Sequence, residues 1–220
     1  MEHRLNVAFV SDIVCPWCAL GFTKLMLAVD KMSPNIAVTV ECLPYELNPG
    51  LGAEGILLSD HLAEIMNAGA EQIAQVQQRM TQMGADTGFT FNFSPTSRIY
   101  NTNKAHQLLL LAAESGQQLE LYQALFESYF SLNKDIADSS ILIAIAKQIG
   151  MDVERVRSTL ATNALNEEVL AANKRVKLLG VTGVPALILD DNQVLKGARE
   201  VDDLVTLLTR YAENNLVTPL

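Results

Sequence analysis

The tetrapeptide Cys15-Pro16-Trp17-Cys18 constrains this 220-residue chain more than any other stretch, because an apolar run, Leu5 to Val10, ends just before it and a helical pattern begins there. Two cysteines three positions apart in the first turn of a helix bring their sulfurs within disulfide reach, and the unpaired N–H groups of that helix end point toward the first, here Cys15. Thiols so placed ionise more readily than a free cysteine, whose pKa is roughly 8.5, and the thiolate is the form that attacks disulfides. Pro16 suits the first turn because the N–H it lacks would have no intrahelical partner, and Trp17 adds an uncharged apolar flank. Two other readings of the pair stand beside the redox one: half of a zinc site, or two inert core thiols. A zinc site needs a second close couple of ligands. The remaining cysteine is Cys42, and His3, His61 and His106 are scattered singly, so the pattern favours a redox pair without a metal.

Composition narrows the setting. Hydrophobic residues at 49% against 19% charged exclude a disordered chain, and the length allows a sizeable core without disulfide staples. The net charge of −9, spread without a basic run, makes nucleic acid an unsuitable partner. No apolar segment approaches the roughly 20 residues that span a bilayer, so no membrane partner is expected. Met1 to Asn6 enter the first strand pattern directly, without the longer apolar core of a secretory signal, and the expected location is cytoplasmic. In that compartment structural disulfides are rare, and a Cys-x-x-Cys pair is usually catalytic or redox-sensing.

Leu5 to Val10 reads as a buried parallel strand, Ala19 to Met32 as a helix closed by Ser33-Pro34-Asn35, and Ile36 to Leu43 as a second strand. That βαβ order puts the cysteine pair at the carboxyl end of the first strand, where ligands bind in open α/β sheets. Cys42 falls within the second strand and reads as a small buried apolar residue. Turn residues from Pro44 to Gly55 mark a loop, after which helical patterns take over. One helix is expected from Ser59-Asp60 through about Met83, ending near Gly84; a loop carrying Phe89, Phe91, Phe93 and Pro95 follows, with Thr96 or Ser97 capping the next helix, which finishes at Gly116. Further helices run from Leu119 to Phe130, from Ile141 to Ile149 behind an Asp138 cap, briefly after Asp152, and from Leu165 to Leu179 before Gly180. Ala186 to Leu189 and Gln193 to Lys196 read as a hairpin turning at 190–192, and Val201 to Tyr211 as a closing amphipathic helix. The expected division is residues 1–55 and 176–220 around an inserted all-helical unit, 56–175, with no strand-period run.

Cys15-Pro16-Trp17-Cys18 with Val184-Pro185, in a β-α-β then β-β-α order, resembles the thioredoxin superfamily, and the helical insertion is similar to that of its DsbA branch. Asp12 to Cys18, Pro44-Tyr45-Glu46-Leu47-Asn48-Pro49, Asn101-Thr102 with Ala105-His106, and Gly183-Val184-Pro185 together resemble the FrnE-like, DsbA-like oxidoreductases. The resemblance implies an α/β, thioredoxin-like mixed sheet with a large helical insertion. It implies that Pro185 is cis and faces the sulfurs, where otherwise it would be a proline that merely opens a strand. It further implies that Cys15 attacks to form a mixed disulfide, that Cys18 resolves it, that Pro16, Trp17 and Val184 shape the groove, and that Val184 offers its backbone to an extended substrate.

Asn101, Thr102 and His106 are implied to look toward that groove as substrate-binding residues, although a single histidine on an apolar helix is more often structural. The function expected is thiol–disulfide oxidoreductase acting on disulfide- or thiol-containing proteins or small molecules, with no bound cofactor and glutathione as an admissible reductant. Two alternatives differ in class. One is a glutathione-dependent isomerase or transferase of the kappa-class or 2-hydroxychromene-2-carboxylate isomerase type; those relatives typically carry Ser at the Cys15 position and no resolving thiol, so Cys18 argues against them. The other is a non-catalytic binding module.

Overall fold

The computed structural model describes residues 3–52, 54–190 and 193–214. The chain opens with β1 (His3–Ser11), α1 (Pro16–Lys31) and β2 (Ile36–Pro44). There follow β3 (Ile56–Leu57), α2 (Leu58–Met66), α3 (Ala70–Thr87), β4 (Arg98–Ile99), α4 (Asn103–Glu114), and α5 (Gln118–Phe126), which runs into a π-helical turn at Glu127–Ser131. Helices α6 (Ser139–Gln148), α7 (Val153–Thr162) and α8 (Asn166–Leu178) lead to β5 (Ala186–Leu189), β6 (Gln193–Lys196) and α9 (Val201–Asn214).

The main sheet has the order β2-β1-β5-β6, with β1 parallel to β2 and antiparallel to β5, and β5 antiparallel to β6. This is the α/β, thioredoxin-like arrangement expected. An uninterrupted apolar run such as Val7 to Val10 needs cover on both faces, and β1 has it. Leu5, Val7 and Phe9 join the main core with Leu20 and Leu25 of α1 and Leu204 and Leu208 of α9, while Ala8 and Val10 pack with Val176, Val181 and Ile188. The main core continues into the helices through Phe9, Phe22, Tyr122, Phe126 and Phe130, whose successive ring centroids lie 4.7 to 6.2 Å apart. The boundary expected at residue 175 falls inside α8, whose Val176 belongs to the core on the second face of the sheet.

The structure differs from expectation in four places. The helix expected from 59 to 83 is two helices, because Asn67 turns left-handed (φ 47°) and Gly69 opens α3, its N–H held by the Gln72 side chain. Gly84 does not end α3. A Cβ there would meet the Phe89 carbonyl oxygen at 2.5 Å and the Phe91 ring at 2.6 Å, so the glycine makes room for the returning loop, and Gly88 (φ 79°) ends the helix. Neither Thr96 nor Ser97 caps α4: Ser97 accepts from the Ser94 N–H and donates to Asn133, and Thr102 occupies the N-cap position. The segment expected to hold no strand contains β3 paired with β4, two residues each, too short to carry a period. The Asp138 and Asp152 caps form as expected, accepting from Ser140 and from Glu154 and Arg155. Of the turn expected at 190–192, Asp191 and Asn192 lie outside the described residues. Among the described residues no helix is long and apolar enough to cross a membrane.

Candidate active site

β1 ends at Ser11, and the turn after it is closed by the Cys15 N–H, which donates to the Asp12 carbonyl at 3.1 Å. Cys15 stands in extended conformation at the N-cap of α1 with Pro16 opening the helix, and its carbonyl accepts from the N–H groups of Cys18 and Ala19. One residue is thus left at the helix mouth and the other a turn inside. Cys15 is 6% exposed and Cys18 is 0% exposed. Burial pushes the Cys18 thiol well above its ordinary range, and the neighbouring Cys15 sulfur adds to the effect. Cys42 is also a buried free thiol, pushed up by burial, and Gln118 clasps its backbone at both the N–H and the carbonyl.

The segment before β5 meets the cysteines from the other side. The Cys15 Sγ lies 3.9 Å from the Val184 carbonyl oxygen, and the Val184–Pro185 peptide bond is cis. Gly21, which nothing in the sequence alone marks out, lies against this proline: a Cβ there would be 3.3 Å from Pro185 Cγ and 3.6 Å from the Phe9 ring. Cys15, Pro16 and Trp17 form one end of a groove of about 300 Å³, walled farther along by α2, α3 and the aromatic side chains Phe93, Tyr129 and Phe130.

Asn101, Thr102 and His106 do not line that groove. Asn101 donates to the Pro49 and Leu51 carbonyls and accepts from the Asn103 N–H, fastening the 49–51 loop to the start of α4. Thr102 is buried. His106, on the first turns of α4, is buried with its Nε2 3.2 Å from an Asp12 carboxylate oxygen, and the other Asp12 oxygen accepts from the Leu47 N–H at 2.8 Å. Of the three residues expected at the groove, Asn101 thus fastens a loop, His106 meets Asp12 and Thr102 is buried. Asp12 was legible only as part of a motif; its signal is a polar residue placed where an apolar strand turns into a helix. Glu46, in the adjacent loop, is likewise buried, exchanging hydrogen bonds with Asn173 of α8. Among the described residues no three His, Cys, Asp or Glu side chains gather as a metal-holding set.

Residues 6–209 match the family of DsbA-like thioredoxin domains. The chain belongs to that family. This DsbA-like protein is 26% identical over 199 residues to the uncharacterised protein YwbO of Bacillus subtilis (strain 168), a match covering 90% of this chain and 92% of YwbO. Among solved structures it is similar to a probable DsbA oxidoreductase from Streptomyces coelicolor, with a TM-score of 0.89 and 28% identity over 98% of this chain and 92% of the other. It also shares its fold with the cytosolic disulfide reductase DsbM of Pseudomonas aeruginosa, solved with glutathione, at a TM-score of 0.63 and 15% identity over 94% of this chain and 99% of DsbM. The DsbA-like protein is thus a dithiol–disulfide oxidoreductase by family.

Proposed function

We propose that Cys15 and Cys18 exchange disulfides with protein or small-molecule substrates through a mixed disulfide on Cys15. The observation that carries this reading is the unequal access of the two cysteines: Cys15 lines the groove beside the Val184 carbonyl, and Cys18, fully buried, does not reach it. In the reducing direction the Cys15 thiolate attacks one sulfur of the substrate disulfide. The substrate S–S bond breaks, the Cys15–substrate bond forms, and the departing thiolate takes a proton. Cys18 then gives up its proton and attacks the Cys15 sulfur, releasing the second substrate thiol and leaving a Cys15–Cys18 disulfide. Two electrons have passed from protein to substrate, and two molecules of glutathione, oxidised to one disulfide, restore the dithiol. Run backward, the same steps oxidise a substrate dithiol. Val184 offers backbone for an extended substrate, and Pro16 and Trp17 flank the reacting sulfur. A cytoplasmic setting, where glutathione keeps such pairs in turnover, suits this chemistry.

Insulin reduction by the wild type, Cys15→Ser and Cys18→Ser tests the proposal. Loss of activity in both variants is expected. Activity on glutathione conjugates that survives Cys18→Ser would favour an isomerase or transferase, and an inactive wild type would favour a binding module.

A further inference from the structure

Arg199 and Arg210 line one cleft of about 630 Å³ that shares no residue with the groove at Cys15. β6 and α9 set its place in the fold. Gln193, which borders it, opens β6 opposite Leu189, the end of β5 farther from Pro185, and Tyr211 of α9 donates to the Leu189 carbonyl. Among the described residues neither guanidinium has an ion pair or a hydrogen bond, and the Nε of Arg199 is buried without a partner. A charged donor taken out of water and left unpaired is unfavourable, and it calls for a partner that the chain itself does not supply. A water molecule could serve that one N–H, but it would not answer two positive charges in one cleft.

The acidic side chain that lines the cleft, Asp203, pairs with neither arginine among the described residues, so positive charge exceeds negative there although the chain carries a net −9. The neighbouring acids are engaged elsewhere: Glu200 meets Lys24 and Asp202 meets Lys31. Leu207 and the Tyr211 ring, both half-buried, add an apolar wall. We infer that this cleft binds a small organic oxyanion, a phosphate monoester or a dicarboxylate, whose head pairs with Arg199 and Arg210 and whose uncharged body rests on Leu207 and Tyr211. Guanidinium suits either head, because its planar fork of donors matches carboxylate and phosphate oxygens two at a time. The volume falls within the roughly 300–1,000 Å³ of small-molecule sites. This site is separate from the cysteine chemistry, and its occupancy neither requires nor alters the roles of Cys15 and Cys18.

The test titrates isotopically labelled protein at low ionic strength, where charge attraction is least screened, with phenyl phosphate and with phenylsuccinate, following the Nε–H resonance of Arg199 by NMR. One or both probes are expected to shift that resonance with a Kd of about 1 mM or below, at least about tenfold tighter than inorganic phosphate or phenol, and the tighter of the two identifies the head. Arg210→Gln, at an exposed position, keeps the Arg199 signal and is expected to weaken binding about tenfold or more. Arg199→Gln, read through the Leu207 backbone amide, is expected to do the same, and Arg210→Gln alone decides the matter where Arg199→Gln lowers the melting temperature. No shift with either probe up to about 10 mM, inorganic phosphate or phenol binding as tightly as the probes, or a Kd untouched by Arg210→Gln would overturn the inference.

Discussion

The carboxylate of Asp12 meets the Nε2 of His106 at 3.2 Å with both side chains buried, joining the turn before Cys15 to α4 across ninety-four positions of sequence. The same carboxylate holds the Leu47 N–H, so one residue ties together the cysteine turn, the loop at the groove rim and the first helix that packs behind it. Asp12→Ala would leave a buried imidazole and a backbone N–H unpaired, each expected to cost about 1–3 kcal/mol. Asp12→Asn can keep both contacts, its side-chain oxygen accepting from the Leu47 N–H and its amide nitrogen meeting the His106 Nε2, and should cost under about 1.5 kcal/mol. Urea denaturation of the two variants checks the order; an equal cost would show that the hydrogen bonds are not what Asp12 contributes.

Alkaline pH should weaken the reduced protein. Cys18, Cys42 and Tyr122 are each held above their ordinary ionisation range, burial being the largest cause for all three. In the unfolded chain a thiol releases its proton near its ordinary value of roughly 8.5, whereas the folded thiols retain theirs to higher pH. Above about pH 9 the folded state therefore binds more protons, and stability falls as pH rises; below that window this contribution is fully present. The urea midpoint of the reduced protein is expected to stay level from about pH 7 to 8 and to drop by about pH 10, and Cys42→Ala to make the drop shallower.

At Gly84 the space for a side chain is already taken, since a Cβ would fall 2.5 Å from the Phe89 carbonyl oxygen and 2.6 Å from the Phe91 ring. Replacing a helical glycine by alanine ordinarily gains about 0.5–1 kcal/mol. Here overpacking, at about 1–3 kcal/mol, outweighs it. Gly84→Ala should lower the melting temperature, and a rise would contradict the close approach of the loop.

Gly21 is tighter in consequence than in distance. An added Cβ would sit 3.3 Å from Pro185 Cγ, so the neighbour need give only a few tenths of an ångström, and the helical gain offsets much of the strain. Because Pro185 follows the carbonyl that faces the Cys15 Sγ, Gly21→Ala should reduce insulin-reduction activity severalfold while shifting the melting temperature by only a few degrees. Unchanged activity would separate the proline contact from the chemistry.

Much of this was legible in the chain because the signals were local. The unalternating run Leu5 to Val10, the pair Cys15 and Cys18 with Pro16 between them, and Val184-Pro185 ahead of a hairpin each announce their structure within a few residues. What was not legible depends on partners far away in sequence. His106 has a position on a helix that admits either a groove or a core, and only Asp12 on the opposite element decides between them. Gly84 resembles a helix terminator until the returning Phe89–Phe91 loop is seen against it, and the break at Asn67 rests on a left-handed residue within an otherwise continuous helical pattern. Asn101 resembles a site residue for the same reason, although its amide is spent on the Pro49 and Leu51 carbonyls.

The central claim is that Cys15 makes the first bond to substrate and Cys18 breaks it, and trapping is its most direct measurement. Cys18→Ser, incubated with a peptide disulfide and analysed by intact and peptide mass spectrometry, should accumulate one adduct mapped to Cys15, while the wild type under the same conditions passes to a Cys15–Cys18 disulfide with Cys42 still free. An adduct on Cys42, or a Cys18→Ser protein that gathers none, would contradict the account.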